Sequence, residues 1–331
     1  MTAMSSTMWA KRLVSPSRFE SIVIDRPRPE QLADGQVLLK VTAGGLCGSD
    51  LPVFRGQRST HGSVIGGAAT PPGWPLHEVT GTVAASRDPG IEVGETVVGW
   101  ASGWDGLVEW VVTAGAGLAS YDPALRPEHA VLLQPLACVL YAVERLPEIS
   151  GTTVAVLGLG PIGLLFSHVL ARRGAGRIIG VDRVPRADLG PAFGVTEVVH
   201  AASDSWAHSL TDATRPQVVI EAIGHQTATL NHLVSAVAWG GTIYYFGIPD
   251  EPSYPFDMSG FLRKNLSLKA GVARDRRRLL TEAGAYLREN PGLAQAYVTH
   301  VLDFDDVQRA FELACTPARG QVKVVLREGS H

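Results

Sequence analysis

Two hydrophobic rhythms divide the chain. Up to about residue 150 the apolar positions come in short runs, at 37–42, 79–84, 95–99 and 108–113, cut by Pro, Gly and Asp, as in brief strands joined by loops. From Gly151 the rhythm changes. Apolar strand runs at 152–157, 178–182, 195–200, 217–222, 242–247 and 266–271 alternate with stretches of helical spacing, the pattern of a doubly wound parallel sheet. After about Asp275, helical spacing over 276–289 and 305–315 is followed by one more strand at 321–326, which reads as a return to the first sheet. The pattern predicts an α/β chain in which a parallel-sheet domain over 151–275 interrupts a mostly β domain assembled from 1–150 and 276–331.

The sharpest local signal lies at the start of the second rhythm. The strand around Val154 and Val156 breaks at Gly158-x-Gly160-x-x-Gly163, after which Ile162, Leu165, Phe166, Val169 and Leu170 repeat with helical spacing. Gly158 permits the turn, Gly160 lets backbone approach a pyrophosphate, and Gly163 allows close packing of helix on strand. Pro161 and Ile162 complete the loop, and the helix N-terminus faces the phosphates. About 20 residues on, Asp182 ends the next strand, where a carboxylate accepts hydrogen bonds from an adenosine ribose and repels a 2′-phosphate. This predicts NAD over NADP, with Arg183 and Arg186 close enough to oppose that preference.

Composition narrows the partners. With 331 residues, 45% of them hydrophobic and 18% charged, the chain buries large cores, and a net charge of −3 without any basic block argues against nucleic acid or an anionic membrane. Residues 1–8 lack an apolar core of signal-peptide length, so a cytoplasmic protein is expected. Cys47, Cys138 and Cys315 are widely spaced with no C-x-x-C pair, so a bound metal must draw on mixed ligands. Cys47 and His77 are both zinc donors by type, and Glu78 adds a carboxylate beside the imidazole. From the residues alone, a Cys and a His 30 residues apart are more often packing residues than ligands, with Asp50 a loop cap and Ser49 a turn serine.

Several motifs in order, Gly45-Leu-Cys47-Gly-Ser49-Asp50, His77-Glu78-Val-Thr-Gly81-Thr-Val83, Gly94-Glu-Thr-Val-Val98, Gln134-Pro-Leu-Ala-Cys138, the nucleotide loop, Glu221-Ala-Ile-Gly224 and Gly320-Gln-Val-Lys-Val324, make the chain resemble the medium-chain dehydrogenases/reductases of the zinc alcohol dehydrogenase type. The sorbitol and threonine dehydrogenase branch is the most similar in pattern. The resemblance implies a GroES-like catalytic domain split in sequence around a Rossmann domain. It also implies that Cys47 and His77 bind a catalytic zinc with Glu78 behind it, that Asp50 orients His77, and that Ser49 passes the substrate's proton outward.

Two positions depart from that pattern. Gln134 stands where the branch places a third, anionic ligand, and Leu76 stands where a Gly normally precedes the His-Glu pair. Three arrangements stay open: Cys47, His77 and Glu78 with water, the same site with Gln134 as a weak donor, or no metal. In the first, the Cys47 thiolate and the Glu78 carboxylate together neutralise the ion. Arg55 and Arg58 lie on a loop where relatives place substrate contacts and serve equally as solvated loop charges, while Trp100 and Trp104 are candidates for a pocket wall, although tryptophans in a β domain are more often core. The expected activity is NAD-dependent oxidation of a secondary alcohol on a polyol, sugar-like, cyclitol or amino-alcohol substrate, or reduction of the ketone. The alternatives are a zinc-free NAD(P)H reductase of activated double bonds or carbonyls, and an inactive dinucleotide-binding partner protein. A small-molecule substrate is expected, with a homodimer or homotetramer formed through the sheet edge near 266–271.

Overall fold

A computed structural model describes residues 6–57 and 70–329. The chain opens with a hairpin of β1 (Thr7–Ser15) and β2 (Arg18–Asp25), then runs through β3 (Gln36–Gly45), α1 (Asp50–Phe54), β4 (Glu78–Ser86), β5 (Thr96–Trp100), β6 (Trp110–Ala114), β7 (Leu118–Ser120) and α2 (Pro127–Ala130). Helix α3 (Leu133–Glu144) leads to β8 (Thr153–Leu157), α4 (Pro161–Arg172), β9 (Arg177–Asp182), β10 (Glu197–His200), α5 (Ser203–Ser209), β11 (Val218–Glu221), α6 (Thr229–Ala236), β12 (Thr242–Tyr245), α7 (Met258–Arg263) and β13 (Ser267–Ala270). The tail supplies α8 (Arg276–Glu289), α9 (Leu293–Tyr297), β14 (Val298–Asp303), α10 (Val307–Cys315) and β15 (Lys323–Arg327). The fold divides into two compact units, 1–137 with 274–317 and 321–331, and 138–273 with 318–320.

The first unit is built on a seven-stranded sheet in the order β14-β15-β3-β4-β5-β7, with β6 also paired to β3. The tail strand β15 joins antiparallel to β3, so chain segments far apart in sequence meet at the end of β3. Leu38, Val79, Val97, Phe311 and Leu326 are among the side chains of its core. The sequence rhythm does not show the β1–β2 hairpin or β14. In β1 the reason is Lys11, buried in a ladder that also buries Ala10 and Leu13, with its ammonium 2.6 Å from Asp305 and bonded to Ser21. A lysine on the core face hides the alternation that marks a strand.

The second unit holds a parallel six-stranded sheet in the order β10-β9-β8-β11-β12-β13. The order reverses between β8 and β11, and such a reversal opens a crevice at the strands' carboxyl ends. The turn from β8 into α4 is set by its glycines: Gly158 has φ +91, and a Cβ on Gly163 would lie 1.7 Å from the Gly158 carbonyl. Only glycine fits there. Among the described residues no helix is long and apolar enough to cross a membrane.

Candidate functional site

The sheet of the first unit gathers the predicted donors. Its register sets Gly45 opposite Glu78 on one side and opposite Val325 on the other, so the loop carrying Cys47, the start of β4 and the tail strand converge. Cys47, His77 and Glu78 then offer ligand atoms that all lie within 4.8 Å of one another. Asp50, fully buried at the start of α1, ties the group together. One carboxylate oxygen accepts the Cys47 N–H at 2.8 Å and the other lies 3.0 Å from His77 Nδ1. A carboxylate only accepts, so Nδ1 carries the hydrogen and Nε2 is left to act as a ligand.

Electrostatics at His77 favour a cation. Burial, the largest single influence, pulls its pKa down, but Asp50 and Cys47 together outweigh burial and hold it well above the usual imidazole value. A field that stabilises an imidazolium stabilises any positive ion at that place. The ring of Trp104 packs on the imidazole with centroids 4.4 Å apart, and the Trp104 carbonyl accepts the Leu76 N–H at 2.9 Å. Leu76 is buried, and its own carbonyl accepts from Gly106, so the unusual leucine sits in a regular bonding pattern directly before His77.

Lys323, which lies in the Gly320–Val324 motif but is given no role from sequence, changes the site's charge balance. Its Nζ donates to Glu78 Oε1 at 2.8 Å and lies 2.6 Å from Oε2, with both side chains almost fully buried. Contrary to the expectation from sequence, Glu78 therefore does not bring an uncompensated charge to a metal. It brings a carboxylate already balanced by an ammonium. Oε2 nevertheless takes no well-directed hydrogen bond, which leaves an acceptor lone pair for a cation. A Cβ on Gly45 would lie 2.5 Å from Oε2 and 3.0 Å from Lys323 Cε, so the glycine is what admits the pair. The donor set of thiolate, imidazole and carboxylate fits zinc.

Ser49 is buried at the N-cap of α1, and Gln134 is buried at the first turn of α3. Trp100 is buried under the Arg276 guanidinium, 4.7 Å from the ring centroid, and belongs to the packing of α8. Arg55 donates to the Cys315 carbonyl at the end of α10 at 2.8 Å, which occupies it structurally. Arg58 lies outside the described residues.

In the second unit, Asp182 ends β9 with each oxygen anchored, one accepting from Leu159 N and the other from Val184 N, both at 2.7 Å. Gly160, Pro161 and Ile162 are partly exposed, and a Cβ on Gly160 would meet nothing within 4 Å, room that a pyrophosphate fits. Arg183 is exposed, whereas Arg186 is buried and donates to the Ala318 carbonyl at 3.0 Å. Glu221, also unassigned from sequence, ends β11 fully buried, accepting from Ile223, Gly224 and Gly247 N–H groups. Burial raises its pKa despite these donors.

Two family models match the chain in succession, an alcohol dehydrogenase GroES-like domain over residues 33–120 and a zinc-binding dehydrogenase domain over 161–284. The chain is 23% identical to D-arabinitol dehydrogenase 1 of Uromyces fabae over 90% of its length and 94% of that protein's. It is 24% identical to L-threonine 3-dehydrogenase of Bacillus licheniformis over 88% of its length and 91% of that protein's. An alcohol dehydrogenase from E. coli CFT073, solved with NADH, superposes with a TM-score of 0.80 at 22% identity, covering 98% of this chain and 100% of that one.

Proposed function

Because the chain belongs to the zinc-type medium-chain alcohol dehydrogenases, we propose that it oxidises a secondary alcohol on a polyol or amino-alcohol substrate, or reduces the ketone, using NAD and a zinc held by Cys47, His77 and Glu78. The observation that carries this reading is the convergence of those three donors within 4.8 Å around a shared Asp50. Bound zinc supplies Lewis acidity toward a hydroxyl oxygen, and the bound nicotinamide ring supplies the hydride acceptor. Asp50 fixes the imidazole tautomer and the Cys47 backbone. Lys323 holds the Glu78 carboxylate in place, and Trp104 covers one face of His77. Ser49 is the hydroxyl that accepts the substrate proton and passes it outward.

NAD is supported by the Asp182 carboxylate at the end of β9 and by the burial of Arg186, which leaves only Arg183 to favour a 2′-phosphate. The polyol and amino-alcohol class rests on the relatives that act on D-arabinitol and L-threonine. Strand β13 ends its sheet, with Leu268 and the neighbouring Val272 and Leu262 exposed, which supports a homodimer formed by pairing that edge with its twin. A second reading, a reductase working without metal, is favoured by one observation. Lys323 cancels Glu78 and Gln134 is neutral, so Cys47 is the single uncompensated anionic donor.

The test is metal analysis of the purified full chain together with turnover of D-arabinitol and L-threonine with NAD and with NADP. Zinc at a substantial fraction of one per chain, lost together with activity in Cys47→Ala, is expected. Undiminished turnover in zinc-depleted protein would overturn the proposal and favour the second reading.

A further inference from the structure

The sequence has five lysines, and three of them are held by carboxylates. Lys11 and Lys323 are buried against Asp305 and Glu78, Lys40 pairs with Glu328, and Lys269 donates to the Arg145 carbonyl. The fifth, Lys264, follows α7 and lines a cavity of about 480 Å3 together with Arg215, Asp212 and Trp239.

A second cation, Arg215, donates to the same Ser235 carbonyl as Lys264, and that crowding of positive charge disfavours the ammonium. Nζ donates to the carbonyls of Val234 at 2.8 Å and Ser235 at 3.2 Å, in the last turn of α6, where no helical N–H follows to use them. A neutral amine has two N–H groups and one lone pair. With both hydrogens directed at α6, the lone pair turns away from the helix. Of the cavity's two carboxylates, Asp257 caps α7 by accepting the Gly260 N–H at 2.9 Å, and Asp212 is engaged by Arg215, whose Nε lies 3.2 Å from it and which also donates to the Ser235 carbonyl. Burial, followed by the Arg215 guanidinium, pushes the Lys264 pKa down to about 8 while Asp212 opposes them. Trp239, 62% exposed, offers an apolar wall in the same cavity.

We propose that Lys264 is a nucleophilic lysine and a site of acyl modification, taking its acyl group from an activated donor, an acyl phosphate or an acyl thioester. The Nζ lone pair adds to the donor's carbonyl carbon and a C–N bond forms. The C–O bond to phosphate, or the C–S bond to the thiol, breaks and its electron pair leaves with phosphate or thiolate, while one nitrogen proton passes to solvent. Nothing is oxidised or reduced. The amide keeps one N–H, so one α6 carbonyl loses its lysine donor while Arg215 still serves Ser235.

The experiment uses the full chain incubated separately with acetyl phosphate and with acetyl-coenzyme A, with acetylation at each lysine followed by peptide mass spectrometry from pH 7 to 9. A pKa near 8 in place of 10.5 raises the neutral fraction at pH 7 on the order of a hundredfold; lower basicity costs about tenfold in nucleophilicity, leaving an advantage of about tenfold. Lys264 is therefore expected to be labelled about tenfold faster than Lys40 or Lys269, levelling off above pH 8, with the preference lost in urea-unfolded chain. Labelling by acetyl phosphate alone assigns the acyl phosphate as donor, and labelling by both reagents assigns activated acyl groups in general. Equal rates at Lys264 and Lys40, or a preference that persists in the unfolded chain, would overturn the proposal.

Discussion

Replacing Lys323 by Met isolates the charge that holds Glu78. The two side chains are 2% and 1% exposed, and methionine fills nearly the same volume, so the change removes the ammonium with little loss of packing. A buried carboxylate stripped of its partner costs about 3–5 kcal/mol, because it must remain charged without compensation or take up a proton. At about 2–4 °C per kcal/mol, that corresponds to a fall in Tm on the order of 10 °C. Zinc bound at Cys47, His77 and Glu78 supplies the missing positive charge. The penalty is therefore full in zinc-depleted protein and smaller in zinc-loaded protein, and added zinc stabilises the variant more than the wild type. Urea unfolding followed by circular dichroism, with and without zinc, measures all four states. Changing Glu78 to Gln in the Lys323→Met background should recover a good part of the loss, since the isolated charge is gone. A loss below about 1 kcal/mol in depleted protein, the size of an exposed pair, or an equal loss with and without zinc, would refute the role of Lys323 as the counter-charge that zinc can replace.

Asp182→Ala should raise KM for NAD about tenfold and narrow the discrimination against NADP, because a charged acceptor to the ribose is lost; steady-state kinetics that leave NADH preferred by the same factor contradict the cofactor assignment. Gln134→Glu adds an anionic donor to a site with one uncompensated anion, so zinc affinity measured against a competing chelator should rise about tenfold, and unchanged affinity places Gln134 outside the ligand set. Leu268→Lys, at a residue 42% exposed on the edge strand β13, should convert dimers to monomers in light scattering; a dimer that persists excludes that edge. Lys264 also predicts a pH dependence. Its folded pKa lies near 8, below its ordinary 10.5, so its contribution to stability is fully present above 10.5 and is lost as pH falls through 8. The stability of the wild type relative to Lys264→Met should therefore rise between pH 8 and 10, and urea midpoints showing a flat difference contradict the lowered pKa.

What the sequence discloses and what it withholds follow from the range of the forces involved. The nucleotide turn is legible because its constraints are local. Gly158 needs a positive φ and Gly163 cannot carry a Cβ beside the Gly158 carbonyl, and both demands act within six residues of chain. Strands β3, β4 and β5 are legible because their core faces carry apolar residues in unbroken runs. The donors Cys47, His77 and Glu78 can be named from their chemistry, but their convergence depends on register, set by pairing Gly45 with Glu78. Lys323 is the residue most thoroughly hidden. It lies 245 positions from Glu78, on a strand that reads as an ordinary run of valines around a lysine. Lys11 hides in the same way, buried in β1 against Asp305 across 294 positions. A lysine ordinarily marks the solvent face of a strand, so each inverts the binary pattern where a distant carboxylate neutralises it. In a chain with only five lysines, two of them buried against distant carboxylates, a lysine flanked by valines in a predicted strand is itself the signal to seek such a partner. Beside the donor motif of Cys47 and His77, Glu78 is the carboxylate that such a search would reach first.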